Sequence, residues 1–193
     1  DSEYFTSKKI GEDGYTTGYF ALPATAVQKT ASDKSHLGGQ PLYGYATTTG
    51  TESPAVKMNH LTTVLVVKVT NSTSADLKIS EIIAENDSDA AMSGTFYINC
   101  AEGKVKSKSP TTSVSMSVTD GAIAAGETAE FYIPAVPFTI AEGKNITITP
   151  ETRRPSSSRI SLRARPLPPV SSTLPPSQWL PIHLEITLSK NSL

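Results

Sequence analysis

The chain has 193 residues, a net charge of −1 and a single cysteine, Cys100. That length can bury a core without cross-links, while one cysteine excludes an internal disulfide and an all-cysteine zinc site. Near-neutral charge removes any overall attraction to nucleic acid, and no apolar run approaches the roughly 18 residues of a membrane helix. Cys100 is expected as a small buried hydrophobe.

Thr, Ser, Ala and Val are abundant, which favours strands over helices. The chain opens at Asp1 without a signal peptide, as a trimmed, mature form would. GYTTGYFALPATA predicts a short strand or two, and SDKSHLGGQP a loop. LTTVLVVKV (Leu61–Val69) is nearly all apolar and β-branched, so it predicts a strand covered on both faces. A polar cluster from Asn71 to Asp76 separates it from LKISEII (Leu77–Ile83), and the two together predict a hairpin. TFYINC sets Phe96, Ile98 and Cys100 on one side. KSKSPTT (Lys106–Thr112) predicts a boundary between two small sandwich halves, or a long loop within one. SVSMSV alternates, with Val114, Met116 and Val118 inward. In DGAIAAGETAEF, Gly121 and Gly126 predict a turn before a strand. Pro134 and Pro137 place EFYIPAVPF at a sheet edge or end it early. NITIT alternates again. Strands at regular spacing, without helical periodicity, predict an all-β sandwich.

No catalytic constellation emerges. His36, His60 and His183 share no metal-ligand spacing with each other or with Cys100. No nucleophile elbow, phosphate loop or HExxH is present. Glu81, Glu85, Asp87 and Asp89 loosely resemble a calcium loop; a solvated turn is the simpler reading. His60, opening an apolar strand, is read as a structural residue. Asn71-Ser72-Thr73, Asn86-Asp87-Ser88 and Asn145-Ile146-Thr147 match the N-glycosylation pattern, which arises by chance in a Ser/Thr-rich chain. Tyr15, Tyr19, Tyr43 and Tyr45 are candidates for a sugar-stacking platform, against ordinary packing. The expectation is a non-enzymatic protein without cofactor or metal.

Leu42–Ala46 (LYGYA), Lys57–His60 (KMNH) and Ser93–Asn99 (SGTFYIN) occur in an order that resembles the fimbrillin family of Bacteroidales, subunits of type V pili and related surface adhesins. FYIPAVPFTIAEGKNITIT resembles a later family segment, so the likeness runs from Leu42 to Thr149. Tyr43, Tyr45, Met58, His60, Gly94 and Phe96 fall on the family motif, with Met58 where an aromatic is usual. The resemblance implies two transthyretin-like (Ig-like) sandwich domains, here 1–105 and 106–193, the second aberrant after 150. It further implies an exported lipoprotein precursor at the outer membrane, held there only through a lipid anchor. Assembly with other pilin subunits by strand exchange is implied, with a host glycan or protein receptor as a further partner, and no nucleic acid. The competing reading is a secreted carbohydrate-binding sandwich that stacks sugars on exposed tyrosines or Trp179.

The C-terminal stretch has a different composition. All five arginines lie between Arg153 and Arg165, seven of the fourteen prolines between Pro155 and Pro181, and no acidic residue between Thr152 and Leu184. The family's expected last strand, of the form aGKxYxxxvxv, is missing there. Codons exist for Pro150 to Trp179 that spell GDTAAVFKQDFAPRPAASSGKLYTATIAV one frame over, which includes that strand. A displaced reading frame is one account of the tail; a Pro/Ser-rich extended linker is the other. Five arginines spaced by Pro and Ser, without aromatics between them, make a poor nucleic-acid site. Beyond them IHLEITL alternates, with Ile182, Leu184, Ile186 and Leu188 on one face, and predicts a strand that can be donated to a neighbour.

Overall fold

The computed structural model describes residues 20–44, 46, 50–51, 53, 55–100, 104–138, 146–152, 162–163 and 182–188, with backbone alone for 104, 162–163 and 182–188. The chain is all-β and sandwich-type, as its composition predicts. Its strands are β1 (Phe20–Leu22), β2 (Thr25–Thr30), β3 (Leu42–Tyr43), β4 (Asn59–His60), β5 (Thr63–Asn71), β6 (Leu77–Asn86) and β7 (Ser93–Asn99). Then follow β8 (Lys104–Thr111), β9 (Ser113–Ile123), β10 (Thr128–Ala135), β11 (Ile146–Thr152), β12 (Leu162–Arg163) and β13 (Ile182–Leu188). A short 3-10 turn occupies Ser35–Gly39 inside the expected loop.

Two sheets face each other across the main core. One has the order β12-β11-β6-β9-β2, the other β10-β5-β13. Leu65, Val67 and Val69 of β5 meet Ile79 and Ile82 of β6, Met116 of β9 and Phe131 of β10 there. The period-two reading of SVSMSV holds: Val114, Met116 and Val118 are buried, and Ser113, Ser115 and Ser117 are half-buried. Val66 is buried as well, so β5 is covered on both faces there, as its unbroken apolar run predicts.

A third sheet, β1-β7-β8, holds a smaller core of Phe20, Leu22, Tyr43, Leu61, Phe96 and Ile98, with Val136. Phe20 and Phe96 stack with ring centroids 5.3 Å apart. Half-buried Cys100 packs against this cluster, and burial pushes its thiol above the ordinary value, so the sulfur is not activated.

The structure corrects three expectations. β5 and β6 are not a hairpin: β5 pairs with β10 and β13, and β6 with β11 and β9. The Asn71–Asp76 turn is an arch that carries the chain from one sheet to the other. Asn71, at the start of the arch, is bonded to the carbonyls of Ile123, the last residue of β9, and of Ala124 in the connection to β10. KSKSPTT is no connector either, because it forms most of β8, paired with β7. Pairings β7–β8, β6–β9 and β5–β10 all join residues on opposite sides of 105/106, and both cores draw on either side of it. Third, Gly121 lies within β9 and not in the turn. The carbonyl of Ile79 crowds the space its side chain would fill, beside the register shift between Ile79 and Glu81. Gly126 does make the turn, at φ +81.

Candidate assembly edge

A sandwich of two open sheets has two lateral seams, and each seam exposes strand edges unless something closes it. On one side lie β2 and β10. Pro134 sits in β10, which is an edge strand among the described residues, as its prolines predict. The outward polar groups of Glu130 and Tyr132 are nevertheless occupied. The Gln28 side chain is fully buried; its Oε1 accepts the Tyr132 N–H at 3.0 Å and its Nε2 donates to the Glu130 carbonyl at 3.2 Å. The Ser32 N–H also donates to that carbonyl, at 2.9 Å, while the Ser32 hydroxyl accepts the Glu130 N–H at 3.1 Å. His36 Nε2 lies 2.8 Å from the Tyr132 carbonyl and, as that atom only accepts, must carry the proton. The Tyr132 hydroxyl donates to the Glu130 carboxylate, and the Lys34 ammonium stands 4.8 Å from the Tyr132 ring centroid. Burial, then the bond to Glu130, raises the Tyr132 phenol above its ordinary range.

The opposite seam has a different construction. There the body of the chain ends its two sheets on β5 and β11. β12 lines β11, with Ile148 opposite Leu162, and β13 runs parallel to β5. Both covering strands therefore come from the arginine- and proline-rich tail. The candidate donor residues Ile182, Leu184, Ile186 and Leu188 take register positions opposite Leu65, Val67, Val69 and Asn71. Leu65, Val67 and Val69 are the β5 residues that enter the main core. Without β13 the most apolar strand of the chain would be an edge.

The other motif positions scatter. β3 pairs with β4, setting Leu42 opposite His60 and Tyr43 opposite Asn59, so LYGYA and KMNH do meet. A side chain at Gly44 would strike Val56 and Met58, which explains the glycine between the two segments. Tyr43 and Phe96 are buried in the small core, Gly94 takes φ +117 beside Ser109, and Met58 and His60 are exposed. Tyr43, only 8% exposed, offers no ring to a sugar. Tyr15, Tyr19, Tyr45, Trp179 and Asn145 lie outside the described residues, as does most of the stretch read in two frames. Among the described residues no group of three or more metal-ligating side chains converges, and no helix is long and apolar enough to cross a membrane.

The sequence reading missed the meaning of two glycosylation-like triplets. Asn71 and Asn86 are buried, and each Oδ1 accepts both the N–H and the hydroxyl of the residue two positions on, Thr73 or Ser88. Each Nδ2 donates to the carbonyl four positions on, Ala75 or Ala90. The repeated N-x-[ST]-x-A is thus a turn motif where the chain leaves β5 and β6. Asp87 and Asp89, in the second of these turns, are exposed, as the solvated-turn reading expects. A scan against models of known protein families gives no match to this chain, and a search of curated protein sequences gives none.

Proposed function

We propose that the chain is a structural and adhesive subunit of a bacterial surface fimbria, and that it polymerises by β-strand exchange. The observation that carries this reading is the unequal treatment of the two seams. The β10 side is shut by the chain's own side chains, whereas the β5 side is covered by β13, which follows β12 only after residues 164–181. A strand separated by that many residues from the one before it can pair with its own β5 or with that of another subunit through the same backbone bonds. Main-chain pairing along the register from Leu65 to Asn71 supplies affinity, and alternate apolar positions supply specificity. The fimbrillin-like segments from Leu42 to Thr149 support the same reading. Export as a lipoprotein precursor and a place on the outer surface of the cell come with it.

Substituting Leu184→Asp and Ile186→Asp together tests the donor role. The parent chain is expected to form ladders or fibres, alone or with partner subunits, and the double variant to remain monomeric. Unaltered assembly by the variant would overturn the role given to β13, and persistent monomers of the parent with every partner would overturn the reading as a whole.

A further inference from the structure

The bonds on the outer side of β10 replace a strand. Glu130 and Tyr132 direct both N–H and C=O away from β5, and four of those groups are met by Gln28, Ser32 and His36. By the same alternation, Pro134 turns its nitrogen outward, so its missing N–H costs the β10–β5 ladder nothing. The backbone at Ser32 takes φ 63, a left-handed conformation that turns its N–H and hydroxyl onto Glu130. The fully buried Gln28 spends its Oε1 on the Tyr132 N–H and its Nε2 on the Glu130 carbonyl as well as on the Thr30 carbonyl of its own strand at 2.9 Å, polar work that a leucine could not do.

We propose that the segment 28–36 is a built-in plug that keeps the β10 edge from pairing with β10 of a second copy. The inference rests on the strand-exchange reading for its purpose: with one edge plugged, growth uses the β5 seam alone. Two β10 strands related by a two-fold axis at Tyr132 would place Tyr132 opposite Tyr132 of the second copy, exchanging two bonds. Each Glu130 N–H would then meet the other copy's Pro134 carbonyl. Pro134 has no N–H to return, so the Glu130 carbonyl stays unpaired and the plug has only a short ladder to outcompete. The apolar inward face of β10 would stay in its own core.

The test uses chains that already carry Leu184→Asp and Ile186→Asp, so that exchange through β13 is silent and cannot be mistaken for this contact. Gln28→Ala, Ser32→Gly and His36→Ala are added together, folding is checked by cooperative urea unfolding, and molar mass is followed against concentration by light scattering. The expected result is a doubling of mass at concentrations where the unplugged substitutions are absent and the chain is monomeric. Adding Tyr132→Pro, which removes the central outward N–H, is expected to restore the monomer. Should the opened variant fail to fold, Ser32→Gly alone keeps the backbone conformation, removes only the hydroxyl, and is expected to shift the same equilibrium less far. Folded monomers at all concentrations in the opened variants, or a dimer indifferent to Tyr132→Pro, would overturn the proposal.

Discussion

The side-chain amide of Asn71 donates to the carbonyl of Ile123 at 3.0 Å, 52 positions along the chain. The same nitrogen lies within bonding distance of the Ala75 and Ala124 carbonyls, and the Asn71 backbone exchanges bonds with Gly126 and Glu127. One fully buried residue therefore fastens the β5–β6 arch to the β9–β10 arch at the same end of the sandwich.

Asn71→Ala removes a donor to the Ile123 carbonyl and the acceptor of the Thr73 N–H and hydroxyl, while the Ala75 and Ala124 carbonyls keep the Thr73 hydroxyl and the Glu127 N–H. At about 1–3 kcal/mol for an unsatisfied buried group, the variant is expected to lose about 3 kcal/mol in urea unfolding. Asn71→Asp should cost more, since it sets a carboxylate against three carbonyl oxygens. Asn86, which accepts the same two bonds from Ser88 but whose Nδ2 donates to the Ala90 carbonyl at 3.3 Å without a link across the sandwich, should cost about 1 kcal/mol as alanine.

Two glycines with positive φ separate backbone strain from collision. Gly126, at φ +81, has open space where a side chain would go, so Gly126→Ala should cost about 1 kcal/mol. Gly94, at φ +117, faces the Ser109 carbonyl within the β7–β8 pairing. Gly94→Ala adds a backbone clash to the strain and should cost clearly more than about 2 kcal/mol, measured by thermal or urea unfolding. Equal losses at the two positions would contradict this assignment.

Burial raises the phenols of Tyr43 and Tyr132 above the ordinary value of 10.0, and at Tyr132 the bond to Glu130 adds to it. The folded state therefore holds these protons more tightly than the unfolded chain does. Their contribution to stability is complete below the unfolded value near pH 10 and falls as pH rises through the folded values. Urea midpoints should decline steeply above pH 10, and Tyr43→Phe with Tyr132→Phe should flatten that decline.

Much of the fold was legible because burial follows local pattern. Val114, Met116 and Val118 betrayed their strand by alternation, β5 by its unbroken apolar run, and the β10 edge by its prolines. Partnering was not legible. A polar turn after β5 is compatible with a hairpin or an arch, and the choice depends on where Ile123 and Ala124 end up, far along the chain. KSKSPTT was misread because an exposed edge strand and a loop share one composition; lysine and proline blunt edges as readily as they fill loops. The plug on β10 was hidden for a related reason. Ser32 and His36 read as ordinary loop polarity and Gln28 drew no reading, and their meaning lies in backbone groups roughly a hundred residues away.

The strand-exchange account is tested most directly by asking whose β13 lies on whose β5. Lys68 and Glu185 are register partners in the parallel pair. One preparation carries Lys68→Cys and another Glu185→Cys, both with Cys100→Ser, and the two are mixed under assembly conditions and oxidised. The account predicts a disulfide between the two chains, extending to ladders when single chains carry both cysteines. A disulfide that forms only within the doubly substituted chain, and never between the two single variants, would mean that β13 stays on its own β5 and would contradict exchange.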